Sequence, residues 1–184
     1  MSQPRGLSCI EQVNRPYDQV RPLLLTDPLR LLQRATTSAV ARCNSTIATL
    51  RLPLAGLEIG VDVRVHVRSI RDEAEPAADA RPVTRVTLSW EAISRPGIFP
   101  AMLAELSARP VFADQTELSD RTELSIDGSY WLPLGHVGNA LDATIGHRIA
   151  ESAVGRLLGD LVEEIQDELP VLGASATAPA RGFD

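Results

Sequence analysis

The chain has 184 residues and a formal net charge of −6, with 44% hydrophobic and 23% charged residues. That is enough for one domain with a sizeable core, because a chain of about 150 residues hides roughly two-thirds of its unfolded surface, and the balance excludes wholesale disorder. All 18 basic residues are arginines scattered along the chain, whereas a nucleic-acid surface needs a concentrated positive face, so no nucleic acid is expected.

No apolar run approaches the ~20 residues of a membrane span, and the first residues, Met-Ser-Gln-Pro-Arg-Gly, carry no apolar signal core. The expectation is a soluble cytoplasmic protein without integral membrane contact. Two cysteines, Cys9 and Cys43, cannot build a zinc site, and His66, His136 and His147 show no ligand spacing. No metal and no cofactor are expected.

In chain order, a first short strand is expected at Leu7–Val13. Pro16–Gln33 is the only early helical candidate. There Asp27 before Pro28 makes an N-cap followed by a first-turn proline, so two short helices meet. A weak strand is expected through Ala48–Leu54. From Leu57 to Arg68 apolar odd positions (Leu57, Ile59, Val61, Val63, Val65, Val67) alternate strictly with polar or small even ones, the mark of a strand with one dry face. Asp72–Pro82 reads as a polar loop. Val86, Leu88, Trp90 and Ala92 then alternate in the same way, Ser94–Pro100 is a turn with two prolines and a glycine, and a weaker strand covers Leu103–Phe112. Leu124, Ile126, Gly128 and Tyr130 mark the last strand. One-sided strands of this kind are typically antiparallel meanders.

From about Gly138 to Leu169 there is no proline and the pattern becomes helical, roughly 30 residues and ~45 Å of rod. A stripe at three-and-four spacing runs through Ala140, Ala143, His147, Ala150, Val154, Leu157, Leu161 and Ile165. Its second half, widened by Leu158 and Val162, is bulky and opposed by Arg156, Asp160, Glu163, Glu164 and Asp167, an ordinary amphipathic helix. Its first half is alanines and one histidine, while Val137, Leu141, Ile145 and Ile149 occupy a neighbouring face. Two arrangements fit. The small-residue half spans a hollow against the sheet, or the helix bends near Gly146 and turns its bulky face to the core throughout. Val171–Asp184, rich in Ala, Gly, Ser and Pro, reads as a disordered tail after a single domain over residues 1–170.

Nucleophilic catalysis has little support, for there is no Gly-x-Ser-x-Gly elbow, no Cys/His signature and no phosphate-binding glycine loop. Asp142 and Glu151 stand about 13 Å apart along the helix, too far for an acid–base pair. His147, in the small-residue stripe, is the single candidate general base.

At this point the chain resembles a known family. A first strand, two short helices, an antiparallel meander and one long C-terminal helix is the layout of the α+β helix-grip fold. This is the SRPBCC or START-like superfamily, also called polyketide cyclase/dehydrase-like or birch-pollen-allergen-like. The segments Leu88–Ala92 (LSWEA), Gly97–Pro100 (GIFP), Gly128–Gly135 (GSYWLPLG) and Ala140–Val154 (ALDATIGHRIAESAV) resemble its uncharacterised bacterial members. The resemblance implies a curved antiparallel sheet of six or seven strands around the long helix, and a hydrophobic or amphipathic small-molecule ligand held between them. The lining it implies is Val65, Leu88, Trp90, Phe99, Met102, Leu106, Ile126, Tyr130, Ala143, His147 and Ala150, with Phe99 and Met102 at the mouth. It also implies that Cys9 and Cys43 lie on strands near opposite ends of the sheet, against a disulfide.

The function this favours is a non-enzymatic carrier. One alternative is an enzyme of the cyclase, dehydratase or hydrolase type using His147 as base in the same pocket. Another is a protein–protein adaptor that pairs with another chain through Val137, Leu141, Ile145 and Ile149; a homodimer is a further expectation, with no surface assigned to it.

Overall fold

The alternating segments become five antiparallel strands in the computed structural model. It describes residues 4–51, 63–74, 81–93, 101–113, 118–131 and 143–169, apart from the side chains at 40–51, 63, 74, 92 and 143–149. Strand β1 (Arg5–Val13) is followed by helices α1 (Tyr17–Thr26) and α2 (Pro28–Arg51). Then come β2 (Val63–Ala74), β3 (Pro82–Ala92), β4 (Ala101–Phe112), β5 (Leu118–Trp131) and helix α3 (Ala143–Glu168). The sheet order is β1-β5-β4-β3-β2. Strands β2 to β5 form a meander, and β1 returns beside β5.

The alternation decides which face is dry. Leu7, Val86, Leu88, Met102, Ala104, Leu106, Ala108, Leu124, Ile126 and Tyr130 are buried and form one cluster with residues from all three helices. Burial of each large side chain contributes about 1.5–3 kcal/mol. The outer face carries charges joined across strands, with Glu105 of β4 accepting from Arg71 of β2 at 3.1 Å and Arg85 of β3 at 2.5 Å.

Three expectations need correction. The described residues hold five strands rather than six or seven, because Ala48–Arg51 of the expected weak strand continue α2, which runs for 24 residues and is not short. Cys43 therefore lies on a helix and not on a strand. The expected loop at Asp72–Pro82 is narrower, since Asp72, Glu73 and Ala74 pair with Thr84, Val83 and Pro82. A bulge causes this. The register shifts between Val67 and Ser69, so the extra residue Arg68 reverses the inward phase from odd to even positions and ends the visible alternation. Residues 52–62 and 94–100, and with them Leu57–Asp62 and the Pro-Gly turn, lie outside the described residues, as does the expected tail.

Past the bulge, Asp72 reaches the face that α1 covers. Tyr17 Oη donates to Thr84 Oγ1 at 2.8 Å, and Thr84 donates in turn to Asp72 Oδ1 at 3.0 Å. The Arg21 guanidinium clasps the same carboxylate, with Nε 2.9 Å from Oδ2. Arg21 is the main reason the Asp72 carboxyl titrates below its ordinary range, opposed by partial desolvation and helped by Thr84. Between α1 and α2, Asp27 closes the last turn of one helix and accepts the Arg30 N–H of the next at 3.1 Å, the cap expected from the Asp-Pro pair.

The final helix is fixed at its far end by a residue 154 positions away. Arg15 Nε donates to the Leu169 carbonyl at 2.7 Å and its Nη2 to the Gln166 carbonyl at 3.1 Å. These are among the carbonyls a helix leaves without partners, at the negative end of its dipole. Thr122 of β5 donates to the Arg15 carbonyl at 2.8 Å, so the helix end is tied to the sheet. The stripe Val154, Leu157, Leu161 and Ile165 is fully buried, as its spacing requires. The opposite face is not solvated throughout, however. Asp160 is 3% exposed, and Glu164 and Glu168 pair with Arg34 and Arg30 of α2. The longer α2 lies alongside α3 and covers that flank.

Two outcomes follow. Arg15→Ala is expected to cost about 1–2 kcal/mol, read as a lower urea midpoint and faster amide exchange in the last turn of α3 relative to its middle. Asp72→Asn is expected to lower the thermal midpoint at neutral pH. Because the folded carboxyl is the stronger acid, its contribution is complete above the unfolded value of about 4 and is lost as pH falls through the lower folded one. The two proteins should therefore melt alike in strong acid, and a gap that persists there would contradict the ion-pair assignment.

Candidate functional site

On the helix-bearing face the strand registers arrange side chains into cross-sheet rows. The first row is Arg5, Tyr130, Met102, Trp90 and Val65. The second is Leu7, Gly128, Ala104, Leu88 and Val67. The third is Cys9, Ile126, Leu106, Val86 and Ile70, and the fourth is Glu11, Leu124, Ala108, Thr84 and Asp72. Val13, Thr122 and Pro110 close the far end.

The sequence-derived residues fall into this grid. Val65, Trp90, Met102 and Tyr130 share the first row, Leu88 is in the second, and Leu106 and Ile126 are neighbours in the third. All are buried except Trp90, which is partly buried against the same cluster. Met102 is thus part of the sheet, between Trp90 and Tyr130 in the row at its end. Ala150 is buried at 4% exposure. Ala143 and His147 stand on α3 about two turns and one turn before Ala150, with side chains outside the described set. Phe99 lies outside the described residues, as do Val137 and Leu141; Ile145 and Ile149 are on α3 with undescribed side chains.

The direction of α3 follows from where its two ends lie. Its C-terminal end, at the Gln166 and Leu169 carbonyls, meets Arg15, just beyond Val13, while Glu151, earlier in the helix, is near enough to help raise the pKa of the Cys9 thiol in the third row. The turns before Glu151, Ala143 to Ala150, therefore extend toward the second and first rows. The second row is the smallest at its centre. A Cβ on Gly128 would stand 2.5 Å from the Ala104 Cβ and 2.6 Å from the Leu103 carbonyl oxygen, so the close approach of β4 and β5 requires glycine there. Gly128 and Ala104 together leave that part of the face without a side chain longer than a methyl.

Polar groups on this face are few. Cys9 is a free thiol whose pKa is raised, first by burial and then by the Glu151, Glu11 and Asp127 carboxylates, so at neutral pH it is a poor nucleophile. Burial likewise holds the Tyr17 phenol protonated. Among the described residues no group of three or more His, Cys, Asp or Glu could hold a metal ion, and no described helix is long and apolar enough to cross a membrane. Sequence reasoning did not single out Ala104. Its only signal is its phase between Met102 and Leu106, which says that it points inward and not what faces it.

First strand, helix pair, four-stranded meander and terminal helix is the helix-grip layout, and the fold is of that α+β class. No protein-family model matches the chain, and neither does any curated protein. Among solved structures it is similar to TTHA0849 from Thermus thermophilus, at 12% identity over 90% of this chain and 100% of that one, with a TM-score of 0.41. It is similar also to the Zhui aromatase/cyclase from Streptomyces sp. R1128, at 13% identity, 93% and 99% coverage and a TM-score of 0.37. Ara h 8.0201 matches at 8% identity, 90% and 99% coverage and a TM-score of 0.34.

Gly128→Ala tests the close approach directly. Forcing a methyl against the β4 backbone is expected to cost about 1–3 kcal/mol, seen in urea unfolding, and wild-type stability would show that β4 and β5 can separate.

Proposed function

We propose that the chain is a binding or carrier protein for a hydrophobic or amphipathic small molecule of lipid, polyketide or isoprenoid-like character. On this reading residues 1–170 act as one cytoplasmic ligand-binding domain, and the ligand lies between the first rows of the sheet and the opening turns of α3. The observation that carries the reading is the second row. Gly128 and Ala104 sit at its centre, beside the large Trp90, Met102 and Tyr130, and α3 buries the small Ala150 where its later turns bury Val154, Leu157, Leu161 and Ile165; in sequence the same stripe continues back through His147 and Ala143. Interiors are ordinarily filled to crystal density, and small residues on both sides of one gap suit an apolar guest held by a few polar groups. Val65, Leu88, Leu106 and Ile126 would line it from the sheet, Phe99 would join them from the turn before β4, and His147 would hydrogen-bond a carbonyl or carboxylate of the ligand.

The enzyme reading shares this pocket and adds proton transfer at His147. Tyr17, Thr84 and Asp72 are engaged with one another and Arg21, and the Cys9 thiol is held protonated, which supports the carrier reading.

Native mass spectrometry and solvent extraction of protein purified from its own source are expected to reveal a co-purified apolar molecule. Ala150→Leu distinguishes a hollow from a filled interior. If space lies beneath it, affinity for that molecule falls about tenfold or more, a loss of at least ~1.4 kcal/mol in binding, while the thermal midpoint holds. A filled interior instead loses about 1–3 kcal/mol of stability from overpacking. Loss of stability with no extractable molecule would overturn the proposal. His147→Ala should weaken binding without abolishing any turnover; complete loss of a measured turnover with binding intact would favour the enzyme.

A further inference from the structure

The two edges of the sheet are built differently. Strand β2 carries the usual protections of an exposed edge, a bulge at Arg68 and the charged side chains of Arg64, Arg71, Asp72 and Glu73. Strand β1, at the other edge, has inward-pointing charges at Arg5 and Glu11 but no bulge. It pairs with β5 through nine consecutive residues without a register shift, it holds no proline, and among the described residues no strand pairs with its other side. Ile10 is 60% exposed on the outer face. An edge that is long, regular and partly apolar is a template for another strand.

We infer that β1 is a homodimer interface, pairing antiparallel with β1 of a second copy about a two-fold axis at Ser8. The sequence of the strand is self-complementary about that residue and about no other equally well. With Ser8 opposite Ser8, Arg5 stands opposite Glu11 and Leu7 opposite Cys9 on the helix-bearing face, and Gly6 stands opposite Ile10 on the outer face. Two oppositely charged pairs form, one at each end, the arrangement that favours cross-strand pairing. The exposed Ile10 meets Gly6, where the position of a Cβ has no heavy atom within 4 Å. Moving the axis to Cys9 sets Arg5 against Val13 and Leu7 against Glu11, losing both matches. A two-fold axis uses one patch twice, so a self-complementary strand is what a closed dimer requires. The two sheets then join into one of ten strands. This proposal is independent of the ligand reading and uses no residue assigned to the pocket.

Sedimentation velocity between about 1 and 100 µM is the test, a range that covers ordinary micromolar dimers. The wild type is expected to dimerise over that range. Arg5→Glu and Glu11→Arg each place like charges opposite each other at both ends and should weaken the dimer about tenfold or more. The double variant restores both pairs with the signs exchanged and should recover association to within about threefold. Ser8→Cys gives a second reading. Residues opposed across an antiparallel pair have Cα atoms about 4.5–5.5 Å apart, within disulfide range, so oxidation should yield a covalent dimer. A wild type that remains monomeric, a dimer indifferent to either single reversal, a double variant without recovery, or a Ser8→Cys protein that stays monomeric on oxidation each overturns the inference.

Discussion

The position of α3 depends on one guanidinium. Arg15 leaves the turn after β1 and meets the carbonyls that end α3, while its own carbonyl takes a hydrogen bond from Thr122 at the far end of the sheet. A helix end lying against protein cannot leave its last carbonyls to water, and few side chains offer as many donors in a fixed plane as arginine. Three elements, β5, the start of α1 and the end of α3, are thereby held at a single residue. With its C-terminal end so fixed and its leucine stripe buried, α3 has little freedom in direction, and its opening turns must run toward the Tyr130 end of the sheet. The candidate site is where that constraint points.

The second determinant is α2. A helix flank bearing Asp160, Glu164 and Glu168 looks solvated in isolation. With α2 beside it, the first two turns of that helix bring Arg30 and Arg34 to the glutamates, and Asp160 is buried. Ion pairs half-open to water add little each, so the pairs at Arg30 and Arg34 set the register between two helices more than they stabilise it. Among the described residues the inner face is covered by α3 over β1 and β5 and by α2 over β2, with α1 against β3, β4 and β5 between them.

These relations explain what could be read from the chain and what could not. The dry faces of β1, β3, β4 and β5 and the buried stripe of α3 are written in local periodicity, and so is the Asp27–Pro28 junction. The end of α2 is disguised because Ala48, Leu50, Leu52 and Leu54 alternate with Thr49, Arg51 and Pro53, a period of two that the helix overrides as far as Arg51. The end of β2 is hidden at Arg68, where one extra residue inverts the phase and leaves Asp72-Glu73-Ala74 looking like a polar loop. Arg15, Arg21 and Gly128 act through partners far along the chain, and nothing in their own neighbourhoods marks them. Of the candidate site, the sheet residues fall on one face because phase alone decides that. Whether the space opposite them is open depends on how α3 sits, which is a matter of tertiary contact.

The same bulge also shapes what the inner face could recognise. By turning Asp72 inward it supplies the carboxylate that Thr84 and Arg21 need, and with Tyr17 these groups close a chain of hydrogen bonds beneath α1. Polar atoms satisfied in this way are poor partners for a ligand, since each new contact must break an existing one. The Thr84–Asp72 end of the fourth row is therefore a finished polar patch, while the rest of that row is Ala108, Leu124 and Glu11, and the first three rows are aliphatic, aromatic or glycine apart from Arg5 and Cys9. On the proposed reading, recognition of an apolar guest would come from shape and apolar area. Proton transfer on the same face would instead have to draw on Cys9 or Glu11, which the Tyr17–Thr84–Asp72–Arg21 chain does not include, or on a group of α3.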